Sequence, residues 1–198
     1  MLQQTQVSRV LGFYDAFLAR FPTLDHLARA RPRQVREAWN GLGYYARARN
    51  LHRLARTLTT SGDGKSGVLP SDPSALRALP GVGPYTAGAV ASFAYERRAE
   101  LVDTNVARVL SRAFGPQLDP RSARGRTALW AIARELLPRT GRATWTHNQA
   151  LMELGALVCT ARVARCAECP VRRECATGRM ATREASGTNR ASARRTPR

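Results

Sequence analysis

Apolar residues recur along most of this chain at steps of three and four and nowhere alternate with period two, so the pattern predicts an all-α protein. Val7, Val10, Leu11, Tyr14, Phe17, Leu18 and Phe21 mark one face of a first helix, expected to point into a core, and Pro22 follows its end. Further helical stretches are read at Leu24 to Ala30, from Pro32 through Val35 and Trp39 to the breaker Gly41, and from Asn50 to about Leu58. Ser61 to Gly67 is small and polar and reads as a flexible connector. Asp72-Pro73 offers a cap followed by a first-turn proline, launching a short helix over Ser74 to Leu79. Tyr85 to Tyr95 is a helix of small residues in which Ala87, Gly88, Ala91 and Ala94 are expected at a close contact. Beyond it, Val106, Val109, Leu110 and Ala113 form the inner face of one helix, and Leu129, Ile132, Ala133 and Leu136 that of another, ended by Pro138. Asn148 to Val158 is a last amphipathic helix, and Arg179 to Arg198 reads as a disordered basic tail.

Three stretches carry candidate chemistry. Leu79-Pro80-Gly81-Val82-Gly83 places a proline and two glycines between helical patterns, so Gly81, Val82 and Gly83 can present backbone N–H groups to an anion, and Pro84 opens the next helix. A lone GxG of this kind is more often a glycine cap joining two packed helices. Gly41 to Asn50 combines Tyr44 and Tyr45 with Arg47 and Arg49, a mixture that can stack on a base while gripping phosphates; alone, paired tyrosines are more often packing. Asp103, just before a helix, is explained as an N-cap and can also present an oxygen to a ligand. Cys159, Cys166, Cys169 and Cys175 follow C-x6-C-x2-C-x5-C, four soft ligands in one short loop that suit zinc or an iron-sulfur cluster, with the long first spacing leaning to the cluster.

Charge narrows the partner. The 32 Lys and Arg against 14 Asp and Glu give +18, which favours a polyanion over a neutral metabolite and leaves DNA, RNA and anionic membrane open. The tail from 179 holds six Arg and one Glu, a net +5, so the remainder is still +13. No apolar run is long enough to span a bilayer, and MLQQTQVSRV lacks the features of a signal peptide. These features lead to the expectation of a cytoplasmic protein whose cysteines serve a metal rather than disulfides.

Together these stretches resemble the MutY family of adenine DNA glycosylases, in the helix-hairpin-helix superfamily that includes endonuclease III. The resemblance rests on MLQQTQV (1–7), GLGYYARARNLH (41–52), LPGVGPYTAGA (79–89), VDTNVARVL (102–110), NQALMELGALVC (148–159) and the cysteine spacing. It implies a helix-hairpin-helix DNA glycosylase fold. A six-helix barrel lobe over 1–110 would carry the hairpin at 79–89, and an iron-sulfur cluster lobe over 111–178 would hold a [4Fe-4S] cluster in the loop 159–175, on Cys159, Cys166, Cys169 and Cys175. It also implies a monomer, nucleoid-associated, acting on double-stranded DNA with adenine opposite 8-oxoguanine or guanine. By resemblance, Asp103 stabilises or transiently bonds the sugar, Asn105 and Tyr85 support it, and Gln149 reads the adenine edge. One tyrosine of Tyr44-Tyr45 would be the wedge, and Gln3, Gln4 and Thr5 the strand-facing segment.

Departures from the family are equally specific. Its general-acid glutamate stands two residues before the position of Met1, so no residue here takes that role, and its Nudix-like C-terminal domain has no counterpart in the sequence. The chain is therefore expected to start at an internal methionine of a longer reading frame and to excise adenine very slowly or not at all. A lyase of the endonuclease III kind needs an amine after the hairpin, where this chain has Tyr85; its one lysine, Lys65, lies in the connector. A non-catalytic DNA-binding module on the same fold is the alternative.

Overall fold

The computed structural model describes residues 1–60 and 67–180, and among them every regular element is helical. The chain divides into two compact units, Met1–Gly83 and from Pro84 onward; residue 110, the implied lobe boundary, lies inside a helix.

The first unit holds α1 (Val7–Arg20), α2 (Leu24–Arg29), α3 (Pro32–Ala38), α4 (Ala46–Thr60) and α5 (Pro73–Arg77). Thr23 caps α2 by accepting the His26 amide, and Asp72 caps α5 through the Ser74 and Ala75 amides, the role its place before Pro73 predicts. The core is aromatic at its centre: Phe17 meets Phe21 and Trp39 edge-on, with centroids 5.1 and 5.7 Å apart, above Leu27, Val35, Leu42 and Ala55. The indole N–H of Trp39 is satisfied by the Gly43 carbonyl at 3.1 Å, so the ring is buried without an orphan donor.

The α1 stripe splits. Val10, Phe17 and Phe21 are buried, whereas Val7, Leu11, Tyr14 and Leu18 are exposed, which corrects the expectation that all seven face the core. At 3.6 residues per turn these are two adjacent strips, and α3 covers one of them.

In the second unit, α6 (Pro84–Ala89) widens into a π turn (Val90–Ala94), followed by α7 (Thr104–Phe114), α8 (Ala123–Glu135) and α9 (Gly141–Glu153), which also ends in a π turn (Leu154–Val158). Leu101, Val106, Leu110, Leu129 and Ala133 form its core. Of the expected small-residue contact, Ala87, Gly88 and Ala91 are buried, but Ala94 is exposed because the π turn shifts the helical register. Asn148, buried on α9, ties that turn in place by donating to Ser92 Oγ (2.9 Å) and the Ala99 carbonyl (3.0 Å). Arg179 and Met180 close a helical turn over 176–180; the rest of the expected tail, and most of the expected connector, lie outside the described residues.

Gly81 sits at φ +78°, and a Cβ there would stand 2.5 Å from the Asn50 Cβ, so both backbone conformation and space demand glycine. Gly83 has open space around its missing Cβ. Gly81→Ala is expected to destabilise the protein by about 1–3 kcal/mol, read as a lowered urea midpoint, while Gly83→Ala changes it little.

Candidate active site and cysteine loop

Asp103 caps α7: its Oδ1 accepts the Val106 amide at 2.7 Å, which pins the carboxylate and leaves its second oxygen for a ligand. Asp103 lines an open cavity of about 1070 Å³ with Tyr85, Arg108, Arg121, Arg126 and Trp130. Asp119 also lines it and pairs with Arg121 at 3.3 Å, so the wall sets two carboxylates among guanidinium groups, an indole and a phenol, which suits a ligand that is aromatic, anionic and able to develop positive charge. Burial first, and the Asp103 charge second, push the Tyr85 hydroxyl above its usual range, so it remains a neutral donor at physiological pH.

Asn105 is held from behind. Its Oδ1 accepts from Arg108 Nη2 at 2.8 Å; the same Nη2 donates to the Gly155 carbonyl (2.7 Å), and Arg108 Nε donates to the Cys159 carbonyl (2.8 Å). A Cβ on Gly155 would lie 2.9 Å from the Asn105 Cβ, so this π turn approaches α7 only because residue 155 is glycine. One arginine thus joins the segment after Asp103 to the start of the cysteine loop.

The four cysteines are free thiols that all line a small void of about 40 Å³ with Arg112 and Gly178. Among the described residues no three His, Cys, Asp or Glu side chains are grouped to hold a metal ion. The donor set still fits a thiolate-held cluster, because N–H groups already point at sulfur: Arg112 Nη1 donates to Cys159 Sγ (3.3 Å) and the Gly178 amide to Cys175 Sγ (3.4 Å). Such donors and a nearby guanidinium lower the cost of gathering thiolates. The loop is closed by a single antiparallel bridge between Cys159 and Ala164.

In the first unit, the loop 41–44 is bent by three left-handed residues, Gly41, Gly43 and Tyr44, the last at φ +48°. Tyr44 is 64% exposed, whereas the Tyr45 hydroxyl donates to Asn40 Oδ1 at 2.9 Å beneath the Arg36 guanidinium. A bulky residue in this conformation is strained. Arg47 lies over the rings of Trp39 and Tyr44 and donates to the carbonyls of Met1 and Gln3, so it braces Tyr44 and the segment that carries Gln3, Gln4 and Thr5. Gln3 and Gln4 are exposed, and Arg49 projects from α4.

Residues 1–135 match the family described as HhH-GPD superfamily base excision DNA repair protein. The chain belongs to that superfamily. It is 43% identical to the human adenine DNA glycosylase over 88% of its own length and 31% of that protein. It is 46% identical to the adenine DNA glycosylase of Mycolicibacterium smegmatis over 86% of its length and 56% of that one. The chain therefore spans from about a third to somewhat over half of these relatives. Among solved structures, a thermostable thymine-DNA glycosylase superposes with a TM-score of 0.77 at 28% identity, covering 90% of this chain and 80% of that one. A non-covalent endonuclease III–DNA complex does so at 0.71 and 25%, over 92% and 81%.

For this HhH-GPD chain the structure brings Asp103 and Tyr85 to one cavity, while Asn105, two residues after Asp103 in the first turn of α7, does not line it. Gln149 does not line that cavity; its Nε2 donates to Glu153 Oε1 at 3.1 Å on the same face of α9. Sequence reasoning missed Arg108, Trp130 and Asn148. Arg108 was legible in part, three residues after Asn105 on one helix face, but its carbonyl partners lie about fifty residues away. Arg108→Ala strands those acceptors and is expected to cost on the order of 2 kcal/mol, measured by thermal unfolding, with Arg108→Lys restoring only part because one ammonium cannot span three acceptors.

Proposed function

We propose that this chain removes adenine mispaired with 8-oxoguanine or guanine in double-stranded DNA, hydrolysing the N-glycosidic bond in base excision repair. The observation that carries the reading is the pinned Asp103 carboxylate, lining one cavity with Tyr85, Trp130 and arginines, in a chain 43–46% identical to adenine DNA glycosylases. A base must leave the stack to meet such a pocket. As the C1′–N9 bond breaks, its electron pair goes to adenine and positive charge grows on the sugar. Asp103, already fixed by the Val106 amide, stabilises that charge without reorganising. A water oxygen then bonds to C1′ and its proton passes to solvent, from which the departing adenine takes the proton that makes it neutral. The neutral Tyr85 hydroxyl and the Asn105 amide orient the sugar and the carboxylate. Gln149 reads the adenine edge after exchanging its Glu153 partner for the base.

In this reading the exposed Tyr44 is the wedge, and Arg47 supports it from behind. Gln3, Gln4, Thr5, Tyr45 and Arg49 contact the strands, and Gly81, Val82 and Gly83 offer backbone N–H groups to a phosphate. Cys159, Cys166, Cys169 and Cys175 hold a [4Fe-4S] cluster, which supplies a rigid staple for a loop with little core of its own. The protein acts as a monomer in the cytoplasm, associated with the nucleoid; no helix of the described residues is long and apolar enough to cross a membrane.

The test is single-turnover adenine release from a duplex with adenine opposite 8-oxoguanine. Slow release by this chain is expected, with Asp103→Asn lowering it by about 10²–10⁴-fold. Joining ahead of Met1 the glutamate-bearing segment that the resemblance to the MutY family implies is expected to raise the rate by at least about 10²-fold. Duplex binding with no adenine release from either form would overturn the proposal in favour of a non-catalytic module.

Chain purified without oxygen is expected to carry iron and inorganic sulfide in equal amounts, and Cys169→Ser to lose both along with thermal stability. Stoichiometric zinc with no sulfide would sink the cluster assignment.

A further inference from the structure

We propose that the cavity between α3 and α4 is a nucleotide-binding site that shares no residue with the Asp103 cavity. It has a volume of about 760 Å³, within the usual range for a small-ligand pocket. Its floor is apolar, built from Val35, Ala48 and the ring of Tyr45. That ring is fixed from both ends: its hydroxyl donates to Asn40 and the Arg36 guanidinium stands 5.5 Å from its centroid. A ring so held is a platform for a base.

The wall is cationic beyond what the protein itself uses. Arg49, Arg53 and Arg56 recur at i, i+4 and i+7 on α4, so they share one face, and Arg36 joins them from α3. None of these four guanidinium groups meets a carboxylate among the described residues, whereas Arg33, also lining the cavity, is neutralised by Glu37 at 2.8 Å. Like charges at helical spacing repel, and an anion removes that cost.

A second observation points to a ligand. His52 lines the same cavity, is only 6% exposed, and its Nε2 has no hydrogen-bond partner. A buried polar nitrogen left unpaired is costly and rare, and an imidazole N–H at this place would be met by a phosphate oxygen. The apolar floor, the fixed ring, the unneutralised guanidinium groups and the orphan imidazole together describe a base carrying phosphate. The shared chemistry is that of a nucleotide, supplied either free or as one unit of a nucleic acid strand. Tyr45 and Arg49 belong also to the proposed DNA-contacting set, so the test relies on Arg53 and Arg56, which are exposed on α4.

The experiment is calorimetric titration of the full chain with ADP and with a short oligothymidylate, each with and without competing pyrophosphate. We expect binding that pyrophosphate displaces, and a loss of at least about tenfold in affinity in Arg53→Glu/Arg56→Glu, as follows from exchanging charge-assisted bonds for repulsion. His52→Ala is expected to weaken binding as well, measured well below its own melting temperature because the ring it removes is buried. Binding of ADP identifies a free nucleotide as the source; binding of the oligothymidylate alone identifies a strand. Failure of both probes to bind, indifference to pyrophosphate, or equal affinity in the charge-reversed variant would overturn the proposal. Single-turnover adenine release at saturating protein is expected to be unchanged in Arg53→Glu/Arg56→Glu, which separates failure of this site from failure at Asp103.

Discussion

One guanidinium ties α7 to the start of the cysteine loop in the second unit. Arg108 sits on α7 one turn after Asn105 and donates to Asn105, Gly155 and Cys159, so α7 and the segment 155–159, about fifty residues away, are joined by one side chain. A planar donor with fixed geometry suits this role, since each N–H has a defined direction and the group stays charged at every relevant pH. Two local features make the convergence possible. The π turn after α9 turns the Gly155 carbonyl toward α7, and glycine at 155 lets the backbone come within contact of Asn105. The arrangement ties the residue behind the candidate carboxylate to the start of the loop that carries the cysteines.

The first unit is built on a different logic. An aromatic core around Trp39 supports a loop of left-handed residues, and Arg47 stacks between the Trp39 and Tyr44 rings while tying down the first residues of the chain. Charge here is partly consumed by the fold, as with Arg47, and partly without a carboxylate partner among the described residues, as at Arg49, Arg53 and Arg56. The net charge of +18 is therefore not spread as an undifferentiated coat: some arginines are braces, and others are available to an anion. Net charge alone indicates attraction to a polyanion and says nothing about which arginines answer it.

Membership of the HhH-GPD superfamily fits both units, since the matched region runs from the first residue through α8. The fold supplies a framework, and the chemistry lies in a few side chains upon it. Asp103 shows how economical that placement is: the hydrogen bond that starts α7 is also the one that fixes the carboxylate.

The sequence by itself determined the all-helical class, the caps at Asp72 and Asp103, and the clustering of four cysteines in one loop. These are local properties, set by a 3.6-residue period or by the conformation of a few adjacent residues. The tertiary structure alone decided which strip of α1 is buried, which tyrosine of the pair is exposed, where two helices widen into π turns, and that Arg108 reaches Gly155 and Cys159. It likewise placed Gln149 against Glu153 rather than in the cavity of Asp103, although both belong to motifs readable in the chain. Each of these depends on what approaches from a distant part of the sequence, and no periodicity encodes the partner on the other side of a contact.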